Sequence, residues 1–264
     1  MTILDEIAAY ARLRVERDKK RESPAALRER AEALAGGGER FYGAVAREGL
    51  SFICEIKKAS PSKGVIDPVF DYRSIAREYS EAGADCISCL TEPKWFLGSD
   101  GVFREVRALT GVPMLRKDFV VDEYQIYQAK ALGADCALLI CALLSPRELC
   151  RLTELCRSLS LAALVEAHDA DEIKAAADAG ARMIGVNNRN LKDFSVDLSN
   201  AARLRSLVPE GCLYVSESGV RGPEDIRALK DTGADAALVG EAFMRSPDKG
   251  AFLAGLRREA EPCR

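Results

Sequence analysis

A tripeptide recurs along this chain at nearly even intervals. Gly83-Ala84-Asp85, Gly133-Ala134-Asp135, Gly180-Ala181-Arg182 and Gly233-Ala234-Asp235 each follow a stretch with helical spacing of apolar residues and precede a short apolar run. Their glycines stand 50, 47 and 53 residues apart. A glycine there suits the residue that follows a helix, whose left-handed backbone a side chain would strain. Between consecutive copies lies one further strand candidate, so each period holds two strand–helix units and four periods make eight. The count predicts an α/β chain closed into a single (β/α)8 TIM barrel rather than an open doubly wound sheet.

The strands are expected at 52–56, 86–90, 113–116, 136–140, 162–165, 183–186, 213–216 and 236–239. Helix starts support the intervening segments. Ser145-Pro146-Arg147-Glu148 is a capping box with proline in the first turn, and Asp169 with Glu172 and Gly222-Pro223-Glu224-Asp225 mark two more. Residues 1–50 form an N-terminal helical extension, with Ile3, Ile7 and Tyr10 on one face. Ser23-Pro24 starts a second helix there, and Gly36-Gly37-Gly38 ends it. Residues 51–264 make the barrel, and no linker divides them, so one structural domain is expected.

Composition excludes several classes of function. A net charge of −3 supplies no long-range pull toward nucleic acid or anionic membrane. No apolar run reaches the roughly 18 residues a membrane-spanning helix needs. The acidic start, Met1 to Glu6, lacks the layout of a signal peptide. Nine cysteines scattered through apolar runs suit a reducing compartment better than disulfides, so a cytoplasmic location is expected. With one histidine besides, a zinc site is not expected.

The first strand carries an oddity. Glu55 and Lys57 stand two residues apart, hence on one face of a strand. If that face is buried, they form an ion pair in an apolar layer, which costs desolvation and is rarely kept for stability. An edge strand with solvated charges is the competing reading. Other strand ends are also polar: Lys117 and Asp118 after strand three, Glu166 after five, Asn187 to Asn190 after six, Glu217 and Ser218 after seven, Glu241 after eight. C-terminal strand ends build the active site of a barrel, and the opposite rim serves stability. Taken singly, Asn187 and Asn190 could cap a turn and Asp118 a helix. As a set, they point to one polar mouth. Gly219 and Gly240 sit where barrels present backbone N–H groups to a phosphate, and Ser218 with the Ser60–Lys63 loop adds donors.

The motifs Glu55 to Gly64 (EIKKASPSKG), Leu115 to Phe119 (LRKDF), Val165 to Asp169 (VEAHD), Asn187 to Leu191 (NNRNL) and Ser216 to Val220 (SESGV) resemble those of indole-3-glycerol phosphate synthase. The similarity runs in order over nearly the whole chain, N-terminal helices included. It departs mildly at Ala167, where a larger apolar residue is frequent, and at Asn188, where the family varies. The fused isomerase domain of some organisms is expected to be absent.

The resemblance implies conversion of 1-(2-carboxyphenylamino)-1-deoxyribulose 5-phosphate to indole-3-glycerol phosphate, CO2 and water, without metal or organic cofactor. It assigns Lys117 as first general acid, and Lys57 to the substrate's carboxylate or phosphate side and to acid catalysis of dehydration. Glu166 would hold or deprotonate near the closing ring, and Glu55 is a candidate base for the final proton. Glu217 and Asn187 would orient lysines and substrate hydroxyls. Arg189 would serve the carboxylate end or support Glu217. Ser218, Gly219, Gly240 and the Glu241 backbone N–H would hold phosphate, with Ser60 closing from strand one. Phe96 and Phe119 would form a slot for the anthranilate ring, ordinary barrel-top packing being the alternative. The N-terminal helices would roof the mouth. The only partner implied is a small phosphorylated substrate, with no nucleic acid or membrane, and a monomer is expected, with a weak homodimer as the alternative. The competing functions are another phosphate-binding barrel enzyme, such as a phosphoribosylanthranilate isomerase, and a non-catalytic ligand-binding barrel.

Overall fold

A computed structural model describes residues 2–190 and 194–260; Leu191 and Cys263 lie outside them. Eight parallel strands close into a barrel: β1 (Ser51–Ile56), β2 (Cys86–Leu90), β3 (Met114–Lys117), β4 (Cys136–Ile140), β5 (Ala162–Ala167), β6 (Met183–Asn187), β7 (Leu213–Glu217) and β8 (Ala236–Val239). β1 pairs with both β2 and β8, so no edge is left and Glu55 stands opposite Ser88 in the β1–β2 ladder. This removes the solvated-edge reading of β1, all of whose residues are buried. The expected strands are all present, three with the expected bounds and the others with ends moved by one or two residues.

Alternation along each strand builds the interior. Ile53, Cys86, Leu115, Cys136, Leu138, Ala162, Leu164, Met183, Val215, Ala236 and Leu238 pack together inside the barrel. Their neighbours one residue away, such as Phe52, Cys54, Ile87, Ala137 and Ala163, face outward to the helices. Further along the inner face, two residues on for Glu55, Lys117, Glu166 and Glu217 and four for Asn187, the side chains turn polar on five strands. Cys86 and Cys89 stand at CxxC spacing, and the same alternation sends one inward and the other outward.

Helices α4 (Tyr72–Glu81), α5 (Asp100–Leu109) and α6 (Glu123–Ala131) follow β1, β2 and β3, and the next two begin where the sequence places their caps. The Ser145 hydroxyl accepts the Glu148 N–H while the Glu148 carboxylate accepts the Ser145 N–H, opening α7 (Pro146–Ser158). Asp169 accepts from Glu172 at the start of α8 (Ala170–Asp178). Each cap contributes about 1 kcal/mol. Gly83, Gly133, Gly180 and Gly233 all adopt positive φ, between 68° and 84°, as the repeat required.

The aspartates of the repeat close the lower rim. Asp85 accepts the Phe52 N–H at 2.9 Å, Asp135 the Met114 N–H at 2.8 Å, and Asp235 the Tyr214 N–H at 2.6 Å. Each satisfies a backbone donor on the strand preceding its own. Asp135 also pairs with Arg40 and Arg107 at 2.9 Å. In the third copy Arg182 replaces aspartate and pairs with Glu39 instead.

The N-terminal extension does not pack over the mouth as one unit. Its first helix, α1 (Ile3–Arg21), lies at the mouth, where Ile3, Leu4 and Ile7 line the central cavity. After α2 (Pro24–Glu32), a third helix that the sequence pattern did not reveal, α3 (Gly38–Val45), plugs the opposite end. There Phe41 and Val45 join the interior cluster with Cys86, Cys136 and Ala162. The triple glycine marks this approach rather than a helix end. A Cβ at Gly37 would fall 1.6 Å from Asp135 Oδ1, and one at Gly38 2.6 Å from the Ala162 backbone. Among the described residues, no helix is long and apolar enough to cross a membrane.

Asp135→Ala is expected to cost about 2–4 kcal/mol in urea unfolding, since it orphans a buried N–H and the half-buried Arg107. A loss below about 0.5 kcal/mol, the range of ordinary surface substitutions, would contradict a load on this rim.

Candidate active site

The polar layer opens into a cavity of about 990 Å³ above the apolar floor of the barrel. Of the residues singled out in the sequence for the mouth, Glu55, Lys57, Ser60, Phe96, Lys117, Phe119, Glu166, Asn187, Arg189, Glu217, Ser218, Gly219, Gly240 and Glu241 line it, whereas Asn188 and Asn190 do not. Residues from seven strand ends thus converge on one space.

Lys117 holds its centre. Its Nζ lies 2.6 Å from Glu217 Oε2 and 3.1 Å from Glu166 Oε2. Burial opposes the ammonium charge, but Glu217, Glu166 and Glu55 outweigh it and keep Lys117 protonated well above the usual lysine range. The two carboxylates respond differently. Burial raises Glu166 too, yet Lys117, His168 and the Asn187 amide, 3.0 Å away, bring it below the ordinary carboxylate range. Burial pushes Glu217 up to about 7; Lys117 pulls against this, and the Glu166 charge adds to it. Two carboxylates around one cation therefore divide into one that ionises readily and one that resists. Glu217 Oε1 is buried with no hydrogen-bond partner among the described residues.

Glu55 and Lys57 make the second pair, 2.5 Å apart and mostly buried. Both pairs need room that only glycine leaves. A Cβ at Gly240 would fall 2.1 Å from Glu55 Oε1 and 2.9 Å from Lys57 Nζ. One at Gly185, on β6, would fall 2.1 Å from Glu217 Oε1. Gly185 lies inside an apolar run and had no motif to draw attention to it.

Two further zones flank the charges. The rings of Phe96 and Phe119 lie 5.7 Å apart, tilted by 41°, and with Leu90 and Ile140 form an apolar wall. The far side holds Ser218, Gly219, Gly240 and the Ser60 turn. Ser218 sits at φ 66°, an uncommon conformation for a residue with a side chain. Asn188 fixes it: its Nδ2 donates to the Ser218 carbonyl at 3.1 Å and to Ser216 Oγ at 3.0 Å. Lys63, in the hairpin after β1, approaches Glu241 to 3.9 Å across this end.

Several roles differ from those expected. Asp118 caps no helix; it is buried, accepts two hydrogen bonds from Arg14 of α1 at 2.6 and 3.1 Å, and accepts from Thr91 at 2.7 Å. Asp122 caps α6 (Glu123–Ala131) instead. Arg189 donates to the Phe194 carbonyl at 3.2 Å, within its own loop, rather than to Glu217. Asn187 serves its turn as well as Glu166, since its Oδ1 accepts the Arg189 N–H. Among the described residues, no group of three or more His, Cys, Asp or Glu side chains is placed to hold a metal ion.

Comparison with known proteins follows the same outline. A family model described as indole-3-glycerol phosphate synthase matches residues 4–256. The indole-3-glycerol phosphate synthase of Ruminiclostridium cellulolyticum is 51% identical over 98% of this chain and 100% of its own. That of Lachnoclostridium phytofermentans is 43% identical over 97% and 98%. A thiamine phosphate pyrophosphorylase from Pyrococcus furiosus shares the fold, with a TM-score of 0.60 at 18% identity over 80% of this chain and 95% of that one.

The division of charge at Lys117 has a measurable consequence. Glu217 moves from its ordinary 4.5 up to about 7 on folding, so its contribution is favourable below 4.5 and is lost as pH rises through 7. Glu217→Gln removes that loss. In urea unfolding, the variant is expected to gain stability relative to wild type between those two pH values. A difference that stays flat across the window would show that Glu217 ionises freely.

Proposed function

The chain belongs to the indole-3-glycerol phosphate synthase family, and on that premise we propose how its residues divide the work of closing an indole ring. The reaction takes 1-(2-carboxyphenylamino)-1-deoxyribulose 5-phosphate to indole-3-glycerol phosphate, CO2 and water, a step of tryptophan biosynthesis. It needs an acid at the substrate ketone, loss of the carboxylate, and an acid–base pair to expel the hydroxyl.

The observation that carries the assignment is the placement of Lys117 between Glu166 and Glu217 at the closed end of the cavity. A lysine kept protonated there can polarise the ketone as the anilino ring attacks it, and donate the proton that turns the carbonyl oxygen into a hydroxyl. Protonation of Glu217 weakens the field holding that proton, so the pair eases its transfer. The ring carbon that has formed the new bond then loses CO2 and regains aromaticity. Lys57, paired with Glu55, supplies a proton to the departing hydroxyl, which leaves as water, and Glu55 takes the proton that completes the indole.

Glu166 acts as the acid–base group beside the closing ring, steadied by Asn187. Glu217 Oε1, without a partner, accepts from a substrate hydroxyl. The Phe96–Phe119 wall takes the anthranilate ring. Ser218, Gly219, Gly240 and the Glu241 N–H hold the phosphate, and Ser60 closes over it. Arg189 borders the cavity as a cation for the carboxylate. The roof provided by α1 excludes water, which strengthens each charge beneath it. All of these groups come from one chain, so a monomer suffices. A small phosphorylated substrate in the cytoplasm is the setting this reading implies, with no nucleic acid or membrane partner.

Untagged protein in chelator-containing buffer is expected to produce the fluorescence of indole-3-glycerol phosphate from the carboxyphenylamino substrate. Folded protein that gives none would overturn the activity, and would favour a non-catalytic barrel. Lys117→Met is expected to lower kcat by about 10²–10⁴-fold, the usual share of a positioned acid, with substrate binding largely kept. Near-normal turnover would mean that another group is the first acid.

A further inference from the structure

The mechanism leaves the single histidine unused. His168 follows the end of β5, two residues after Glu166, with its side chain only 17% exposed. Its Nδ1 lies 3.0 Å from Glu172 Oε2, and the same oxygen accepts the His168 backbone N–H at 2.7 Å. Glu172, in the first turn of α8, thus grips both the ring and the chain that carries it. The other ring nitrogen faces the catalytic layer. Nε2 lies 3.4 Å from Glu166 Oε1, is buried, and has no hydrogen-bond partner among the described residues.

That geometry constrains the protons. With Nδ1–H directed at Glu172, a neutral ring would turn the Nε2 lone pair toward a carboxylate oxygen, and two acceptors would face each other out of water. One proton between them removes the conflict. Either an imidazolium faces a carboxylate, or a neutral imidazole faces a carboxylic acid. Glu166 is bound on its remaining sides by Lys117 and the Asn187 amide, neither of which can take a proton from it at neutral pH. We infer that His168 is a positioning residue that shares this proton with Glu166, returning it to Oε1 when Glu166 must be an acid and withdrawing it to Nε2 when Glu166 must be a base.

The surroundings support the sharing. The charges facing the ring are Glu166 on its own strand, Glu172 on α8 and Glu217 on β7, with Lys117 beyond Glu166. Burial disfavours the imidazolium, but Glu172 and Glu166 outweigh it and hold His168 above the usual histidine range. Cys141, after β4, stays a neutral thiol, pushed up to about 12 by burial, and donates to the Glu172 carbonyl. Asn200 donates to the His168 carbonyl at 3.4 Å and leaves the ring alone.

The inference rests on Glu166 being the acid–base group at the closing ring, and one experiment separates the two. A chain with one histidine gives one imidazole signal, so untagged protein labelled at histidine can be titrated by NMR. Wild type is expected to titrate above about 6.5. Glu172→Gln and Glu166→Gln are each expected to lower that value by about one pH unit, the effect of losing a close opposite charge. Loss of turnover in Glu166→Gln with an unmoved His168 titration would overturn the inference alone. Full turnover in Glu166→Gln would overturn the role of Glu166 and this inference with it. In the pH profile of kcat/KM, His168→Asn is expected to move the acid limb up by about one pH unit with KM nearly unchanged. A profile that keeps its shape while kcat and KM change together would make the ring a structural prop only.

Discussion

Lys117 is mostly buried between two carboxylates, and the rest of the barrel mouth is arranged around that fact. Removing three charges from water is costly, and ion clusters of this kind are often no more stabilising than apolar residues of the same volume. The barrel supports it with a complete apolar interior below, closed strand pairing on every side, and two glycines where any side chain would strike a carboxylate. Gly185 admits Glu217 and Gly240 admits Glu55. The cluster also leaves an acceptor without a partner and a carboxyl that resists ionisation. Such costs are tolerated where binding or chemistry benefits, and they fall here on the layer that meets the cavity.

The two rims of the barrel follow opposite rules. At the lower rim, three aspartates of the repeat each accept a backbone N–H, so regularity in sequence corresponds to satisfied donors in the fold. At the upper rim the residues differ from strand to strand, because each must present a particular group to a shared space. A repeating residue here signals closure and a non-repeating polar residue signals the site. Arg182, where the repeat breaks, fits the same rule: it pairs with Glu39 and stacks 4.1 Å from the Tyr42 ring, holding α3 against the lower end.

Periodicity was enough to read the architecture. Helix-ending glycines, caps and short apolar runs are local signals, and they located eight strands to within two residues. The polar mouth was legible too, since strand ends are near-local once the strands are known. What escaped depends on contacts distant in sequence. Arg14 meets Asp118 across 104 residues, and neither residue type nor spacing announces that pair. α3 was missed because glycines read as a stop were in fact a close approach to Ser160, Asp135 and Ala162. His168 stands in the Val165–Asp169 motif, but its meaning lies in which nitrogen faces Glu166, a matter of geometry alone.

The Arg14–Asp118 pair links α1 to the strand end that carries Lys117. Asp118 adjoins Lys117 in the chain, so whatever fixes its carboxylate also fixes the strand end from which Lys117 projects. Arg14 supplies two hydrogen bonds from α1, and Arg116 and Thr91 anchor the same carboxylate from β3 and the turn after β2. Burial alone would raise the Asp118 pKa, yet Arg116 and Arg14 bring it below the ordinary range. The pairing is therefore complete at neutral pH and is lost only as acid protonates Asp118. One carboxylate thus seats the helix that lines the cavity and holds the strand end that carries Lys117. Closure and alignment are coupled through it: loss of the roof would hydrate the site and loosen Lys117 together.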